Sequence, residues 1–283
     1  MSDLTSVLQG TEVTPTVSHV GSSLTKAVIG KVSLNVEERG AGDPALVFLH
    51  YWGGTHRTWN KVAVELESSY RIITYDMRGW GGSGAAEDGY SITALADEAM
   101  ALIEHLGLRK YVLIGHSMGG KVSQLVASRR PQGLVGLVLV APATPTSSHF
   151  SEEAKQQQIH AYDNRETVLQ TIGFLSARTL DPETVEQIVQ DSLSGTAEAK
   201  LAWPTSAIDE DISAEVSKIT VPTLVLAGEY DRLDSVEQHR REVIARISGA
   251  RLEVIPDSGH LLPVDEPVRT ARAIDNFVGQ WRA

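Results

Sequence analysis

Residues 115–119 read Gly-His-Ser-Met-Gly, which places a serine in the pattern G-x-S-x-G. The apolar run 111–114 precedes this pattern, and a stretch typical of a helix, 120–127, follows it before Pro131. A serine on such a strand-to-helix turn presents its hydroxyl at the top of a sheet, beside a helix N-terminus. The flanking glycines let the strand and helix backbones come close together. This context favours Ser117 as a nucleophile over a hydrogen-bonded serine in an ordinary turn.

A serine hydroxyl is a weak nucleophile until a base takes its proton, so a histidine held by a carboxylate is required as well. Asp231 and His260 each follow a predicted strand, and both are expected at the same sheet edge as Ser117. The chain order Ser, Asp, His is that of one serine hydrolase fold. Glu229 and Asp234 are rival acids. Asp231 is preferred because it comes first after the strand with room to turn inward, whereas Asp234 is expected to cap a helix.

The histidines other than His260 are not expected to act as the base. His116 is expected to point into the packing of the serine turn, and His50 is expected to order the loop that follows it. The remaining histidines are predicted at the surface or in the helical insertion described below: His19, His56, His105, His149, His160 and His239.

Two backbone N–H groups are predicted to stabilise the oxyanion of a tetrahedral intermediate. One is the N–H of Met118, directly after the nucleophile. The other is assigned to Trp52, in a loop whose next two residues are glycines that allow a tight turn. The alternative interpretation is an ordinary glycine turn in which the Trp52 indole packs under the insertion. Both can hold, because the predicted donor is the backbone N–H of Trp52 and not its side chain. Apolar walls of a substrate pocket are predicted from Tyr51, Trp203 and Leu261.

The elements that position these residues follow from hydrophobic patterning. Residues 27–39 alternate around a glycine as an antiparallel hairpin does. Continuous apolar runs typical of buried strands follow, and helical patterns separate several of them. The predicted strands are 45–49, 71–75, 111–114, 134–140, 223–226 and 252–255, and a helix is predicted over 267–281. The sequence therefore predicts an α/β fold with a mostly parallel twisted sheet of about eight strands and helices on both faces.

One segment breaks the alternation of strands and helices. Residues 143–219 contain helical stretches at 152–162, 165–175 and 182–193 but no strand pattern, and Asp181-Pro182 is a typical helix start. We interpret this segment as a helical cap over the core formed by residues 26–142 and 220–283, with a purely structural insertion as the alternative. Residues 1–25, rich in serine and threonine, are interpreted as an N-terminal extension.

Composition narrows the classes of partner. The chain has 283 residues, 42% of them hydrophobic, and a formal net charge of −11 without a basic run, which argues against nucleic-acid and anionic-membrane partners. The absence of cysteine excludes disulfides, a thiolate nucleophile and cysteine-based metal sites. No signal-peptide pattern and no run near the roughly 20 apolar residues of a membrane span occur, so a cytoplasmic protein is expected. The oligomeric state is left open.

These motifs together resemble the α/β-hydrolase superfamily, and within it the esterase, enol-lactonase and cofactor-free haloperoxidase-like enzymes. Residues 75–83 are similar to the family loop D-x-R-G-x-G-x-S, and Gly259-His260 with the following Pro263 also matches. The resemblance runs from about residue 27 to the C-terminus, interrupted by the insertion. The chain departs from the family in the oxyanion loop, where residues 50–53 read His-Tyr-Trp-Gly instead of His-Gly-x-Pro.

The resemblance implies hydrolysis of a carboxylic ester or lactone through an acyl-enzyme, with a small-molecule substrate and no metal or organic cofactor. Three alternatives stay open: peroxide-dependent perhydrolase or haloperoxidase chemistry, hydrolysis of a carbon–carbon bond on the same triad, and a ligand-binding receptor with slow turnover. A serine at the nucleophile position disfavours the related dehalogenases and epoxide hydrolases, which use aspartate, and Gly53 in place of proline weakens the perhydrolase interpretation.

Overall fold

A computed structural model describes residues 21–86, 89–148 and 150–282 of the chain. Its strands lie in a single sheet, and most of them are short and buried on both faces. In chain order the strands are β1 Ser23–Ile29, β2 Val32–Arg39, β3 Ala45–Leu49, β4 Ile72–Asp76, β5 Tyr111–His116, β6 Leu134–Val140, β7 Thr223–Gly228 and β8 Arg251–Ile255.

The sheet has eight strands within the described residues, in the spatial order β1-β2-β4-β3-β5-β6-β7-β8. Strand β2 pairs antiparallel with β1 and with β4, and every later pairing is parallel. The predicted fold class is therefore confirmed. Because parallel strands share one carboxyl edge, the residues that follow β3, β5, β7 and β8 lie at the same side of the sheet.

Helices cover both faces of the sheet. One hydrophobic cluster lies under the helices of residues 60–66 and 267–278, and the other lies under the helices of residues 92–105 and 118–128. No helix in this part of the chain is long and apolar enough to cross a membrane. The helices are α1 Asn60–Leu66, α2 Ile92–His105, α3 Met118–Ser128, α4 Glu152–Ile159, α5 Arg165–Leu175, α6 Pro182–Leu193, α7 Ala197–Thr205, α8 Ser213–Val216, α9 Val236–His239, α10 Leu262–Asp265 and α11 Pro267–Val278.

The segment between β6 and β7 contains α4 to α8. Helices α5 and α6 have the predicted bounds, and the carboxylate of Asp181 accepts a hydrogen bond from the Thr184 N–H at the start of α6. Helix α4 ends three residues before the predicted stretch does, and α7, which contains Pro204, was not predicted. The N-terminal extension lies mostly outside the described residues, and strand β1 begins at Ser23, inside its predicted range.

The loops after β7 and β8 lie against each other because a glycine ends β7. A Cβ atom at Gly228 would lie 2.1 Å from the carbonyl oxygen of Gly259 and 2.7 Å from that of Ser258. These neighbours are backbone atoms, which cannot move without moving the loop. The missing side chain therefore lets the segments that carry Asp231 and His260 approach each other.

We predict that Gly228→Ala lowers the free energy of unfolding by about 1–3 kcal/mol, because the added methyl group overpacks two backbone carbonyls. Urea denaturation of the variant and the parent checks this value. Gly173→Ala is the matched control, since Gly173 lies in α5 and a methyl group added there would have nothing within 4 Å. The control is expected to be neutral or to stabilise by up to about 1 kcal/mol. Equal stability of Gly228→Ala and the parent would contradict the packing argument.

Candidate active site

Ser117 lies on the turn between β5 and α3 with φ 53° and ψ −114°. Few L-residues adopt this backbone conformation, and it costs about 1–3 kcal/mol unless the surroundings enforce it. Three backbone hydrogen bonds do so here. The Ser117 N–H donates to Val140 (N···O 3.1 Å), and the Ser117 carbonyl accepts from Lys121 and from Ala143, each at 3.0 Å. The turn predicted around the serine is therefore held from β6 and from α3.

Asp231 and His260 form a buried pair. The Nδ1 atom of His260 lies 2.9 Å from Oδ2 of Asp231, and the histidine and the aspartate are 1% and 8% exposed. The other carboxylate oxygen, Oδ1, accepts the N–H groups of Leu233 (2.8 Å) and Asp234 (3.0 Å), which fix the orientation of the carboxylate. With Nδ1–H donating to the carboxylate, the neutral imidazole has its lone pair on Nε2.

The electrostatics of the pair favour the charged forms of both groups. Burial alone would raise the pKa of Asp231, but the neighbouring His260 and the hydrogen bonds outweigh it, so this pKa lies below its ordinary value. Burial alone would lower the pKa of His260, but the charge and hydrogen bond of Asp231 outweigh it, so this pKa lies above 6.5. The shifts in the two partners agree in direction.

Neither rival acid forms a hydrogen bond with His260 among the described residues. The carboxylate of Glu229 accepts the N–H of Asp257 (3.1 Å) at the exposed surface. Asp234 is buried but accepts no hydrogen bond from His260 within the described residues. The expectation that Asp234 caps a helix is wrong, because the cap of α9 is Ser235, whose hydroxyl accepts the N–H of Gln238. Of the three acids, Asp231 carries the contact with the histidine.

A cavity of about 900 Å³ brings the predicted residues together. Ser117 and His260 line it, and so do Tyr51, Trp52 and Trp203. The Ser117 hydroxyl makes no hydrogen bond to any group in residues 21–86, 89–148 and 150–282. Leu261, predicted as a pocket wall, is instead fully buried in the hydrophobic core and does not line the cavity.

The loop after β3 is oriented by His50. Its Nε2 accepts the N–H of Met77 (3.0 Å), and its Nδ1–H therefore donates to the carbonyl of Tyr51 (2.7 Å), which also accepts the Gly54 N–H (2.9 Å). Burial lowers the pKa of His50 to about 4, so the ring is neutral. In a trans peptide the C=O and N–H point in opposite directions, so holding the Tyr51 carbonyl also sets the direction of the Trp52 N–H.

The two predicted oxyanion donors are unpaired in this part of the chain. Neither the Trp52 N–H nor the Met118 N–H donates to an acceptor among the described residues. Met118 is the first residue of α3, where a helix leaves its N–H groups without intrahelical partners. Trp52 lines the cavity, and Met118 directly follows Ser117, which also lines it.

Gly53, where the resemblance implies a proline, has a backbone conformation that proline cannot adopt. Gly53 has φ +95°, whereas proline is restricted to φ near about −65°. A Cβ atom at Gly53 would lie 2.3 Å from Cζ of Tyr162. The Tyr162 hydroxyl donates to the carbonyl of Trp52 (2.7 Å), and the two ring centroids are 4.3 Å apart. Tyr162 thus takes the space that a side chain at position 53 would need.

Other contacts tie the helical insertion to the same loops. The Ser192 hydroxyl donates to the carbonyl of Gly53 (2.9 Å), and the indole N–H of Trp52 donates to the carbonyl of Lys200 (3.2 Å). The backbone N–H of His260 donates to the carbonyl of Leu175 (2.7 Å). The insertion therefore holds both the loop after β3 and the loop that carries the histidine.

Two residues near the site could not be found from the sequence. Tyr162 carries no motif, since its partner Trp52 is distant in the chain. His239, expected at the surface or in the insertion, is fully buried close to Asp231 and His260. Burial lowers the pKa of His239 to about 4, and neither ring nitrogen has a partner within the described residues. His116 packs in the serine turn as expected, and its Nε2–H donates to the carbonyl of His260 (2.8 Å).

Two of the histidines expected at the surface or in the insertion, His19 and His149, lie outside the described residues. Among residues 21–86, 89–148 and 150–282, no group of three or more histidine, aspartate or glutamate side chains is arranged to hold a metal ion.

The family model described as "Alpha/beta hydrolase family" matches residues 46–273 of this chain. The matched range includes the serine turn, the insertion and the Asp231–His260 pair. The chain therefore belongs to the alpha/beta hydrolase family, as the motifs indicated.

Individual relatives are distant but cover most of the chain. The 3-oxoadipate enol-lactonase 2 of Acinetobacter baylyi is 26% identical, over 86% of this chain and 92% of its own. The non-heme chloroperoxidase of Burkholderia pyrrocinia is 28% identical, over 80% of this chain and 88% of its own. The solved structure of a thermophilic esterase from Thermogutta terrifontis is 29% identical with a TM-score of 0.79, covering 92% of this chain and 100% of that one.

We predict that the ionisation of His260 depends on Asp231. NMR titration of the histidine Cε1 resonances should give a pKa for His260 above 6.5 in the parent, and Asp231→Asn should lower it, because burial then acts without the opposing carboxylate. His50 serves as the internal control, since burial lowers its pKa to about 4 and its charged neighbours are Asp76 and His56 instead of Asp231. A His260 pKa that Asp231→Asn leaves in place would show that the pair is not electrostatically coupled.

Proposed function

We propose that this protein is a serine hydrolase that cleaves a carboxylic ester or lactone through an acyl-enzyme intermediate. The observation that carries the proposal is the buried Asp231–His260 pair, 2.9 Å apart, whose histidine lines the same cavity as the strained serine Ser117. A nucleophile, a base and an orienting carboxylate at one sheet edge are the parts that acyl transfer requires.

The chemistry follows from the state of each group. The Ser117 oxygen attacks the substrate carbonyl carbon while its proton passes to Nε2 of His260, and Asp231 stabilises the imidazolium that forms. The carbon–oxygen bond to the leaving group then breaks, and His260 returns the proton to the leaving alkoxide. Water adds to the acyl-enzyme by the same steps and releases the acid. The absence of a Ser117–His260 hydrogen bond among the described residues is compatible with this scheme, since catalytic hydrogen bonds often tighten only with substrate present.

The oxyanion is assigned to the backbone N–H groups of Trp52 and Met118. Both lack acceptors within the described residues, and the first is oriented by the contact of His50 with the Tyr51 carbonyl. Preorganised donors of this kind stabilise the tetrahedral intermediate without reorganising during the reaction, and each contributes about 10²–10³ in kcat in the enzymes where it has been removed.

Residues 143–219 are proposed to form a cap over the core of residues 26–142 and 220–283. Side chains of this segment line the cavity together with Ser117 and His260, and Trp203 contributes an apolar wall. The segment also holds the oxyanion loop through Tyr162 and Ser192. We propose that the cap selects the substrate and also shapes the catalytic loop.

The names of the relatives support this class of chemistry. They include an enol-lactonase and an esterase, together with a non-heme chloroperoxidase. A panel of para-nitrophenyl esters, lactones and diketones, with a separate arm that measures peroxide-dependent dye halogenation, separates ester or lactone hydrolysis from the peroxide and carbon–carbon alternatives.

We predict that Ser117→Ala lowers kcat on para-nitrophenyl butyrate by about 10³-fold or more, because the nucleophile is lost. The parent should also react covalently with a fluorophosphonate probe, whereas the variant should not. Ser128→Ala is the matched control, since Ser128 lies at the far end of the same helix with its hydroxyl bonded to the Leu125 carbonyl. Turnover by Ser117→Ala at the parent rate would refute the nucleophile.

We predict that Tyr162→Phe lowers kcat by about tenfold with little change in KM, because it removes one hydrogen bond that orients the oxyanion loop. Affinity for an aryl trifluoromethyl ketone, which forms a tetrahedral oxyanion adduct, should fall in parallel. Tyr70→Phe is the control, since that hydroxyl donates to Asp275 (2.7 Å) away from the cavity. If Tyr162→Phe lowers the melting temperature but leaves kcat and inhibitor affinity unchanged, Tyr162 contributes only to stability.

A further inference from the structure

Asp234 is a buried carboxylate for which the proposed mechanism has no use. It lies three residues after Asp231, is 7% exposed and lines the cavity that contains Ser117 and His260. Its backbone N–H donates to Asp231, but its side chain neither caps α9 nor accepts a hydrogen bond from His260. Burying a carboxylate is costly unless it is paired, so its position calls for an explanation.

The side chain has one protein partner within the described residues. Its Oδ1 accepts the amide N–H of Gln238 (3.0 Å), a neutral donor that also lines the cavity. In the same part of the chain, Oδ2 accepts no hydrogen bond, and no lysine or arginine lies within ion-pair distance of this carboxylate. The buried Lys121 ammonium donates instead to the carbonyls of Ile208 (2.9 Å) and Thr146 (3.3 Å). Burial raises the pKa of Asp234 to about 7.

The other acidic, basic and histidine side chains that line the cavity, apart from His260, lie nearer to solvent. Glu242 is paired with Arg241 (2.8 Å) and with Arg246 (3.0 Å). Glu153 and His160 are exposed on the insertion. Among the described residues, Asp234 is therefore the buried carboxylate that lines the cavity, and its second oxygen accepts no hydrogen bond.

We propose that Asp234 is a specificity-determining residue that accepts a hydrogen bond from a hydroxyl or ammonium group of the substrate. The inference rests on the proposed ester or lactone hydrolysis and deepens it by naming a class of substrate: an ester that carries a hydrogen-bond donor away from the scissile bond. A site with a buried acceptor rejects analogues that leave it unpaired. At a pH well above 7, where Asp234 is ionised, a substrate with a carboxylate in that place is disfavoured further, because two like charges would meet in a desolvated site.

The test compares substrates that differ only in a terminal group. One series consists of para-nitrophenyl esters of hexanoic acid, of its ω-hydroxy and ω-amino derivatives, and of the matching dicarboxylic half-ester. A second series places the same terminal groups on the alcohol chain of a butyrate ester. The readout is the ratio of kcat/KM for the donor-bearing substrates to kcat/KM for the carboxylate-bearing one, in which general effects on catalysis cancel.

The assay is run at a pH well above 7 so that Asp234 is ionised. In at least one series the parent should then prefer the donor-bearing substrates by about 100-fold or more, and Asp234→Asn should reduce this ratio by about tenfold or more. Asp234→Ser is a second variant that should move the ratio in the same direction if the first folds poorly. Glu242→Gln is the matched control, because that carboxylate already has two arginine partners, and its ratio should stay within about twofold of the parent.

The outcomes separate this inference from the proposed function. A parent that reacts with the fluorophosphonate probe, while both Asp234 variants keep the parent ratio in both series, would overturn the assignment of Asp234 alone. A parent that does not react with the probe and whose ester turnover survives Ser117→Ala would overturn the proposed function itself.

Discussion

The backbone of Ser117 is the constraint on which the site depends. A serine at φ 53° is stable only because β6, α3 and the segment after β6 each supply a hydrogen bond to its peptide groups. The same turn leaves the Met118 N–H unpaired among the described residues at the start of α3, and it places the serine on the wall of the cavity. This turn therefore places the Ser117 hydroxyl and the Met118 N–H next to each other at the edge of the sheet.

The surrounding loops reach this edge by two kinds of contact. The parallel sheet brings Asp231 and His260 to the carboxyl ends of β7 and β8, and a glycine at position 228 lets those loops touch. The helical insertion supplies the other kind. The Tyr162 hydroxyl donates to a backbone carbonyl of the loop after β3, and the Leu175 carbonyl accepts the backbone N–H of His260. The core thus sets the order of the groups, and the insertion contributes to their orientation.

Local patterns predicted most of the fold because they act over a few residues. The apolar run 45–49 is buried on both faces of the sheet as expected, and Ser91 caps α2. Contacts between distant segments were beyond such patterns. Nothing near Gly53 indicates that a tyrosine far along the chain fills the adjacent space, and the sequence around Asp234 indicates a helix cap where the tertiary structure has a cavity wall. Helix α7 was not predicted, and it contains Pro204, a residue that is unfavourable inside a helix.

The pairing of Gly53 with Tyr162 has a consequence for how this protein can change. A grafted insertion that lacks a tyrosine at this place would leave Gly53 without the ring that packs against it and the Trp52 carbonyl without its hydrogen bond. A proline at position 53 would instead clash with the Tyr162 ring and displace it. We therefore expect a chimera to keep the conformation of this loop only when its insertion also places a tyrosine against Gly53.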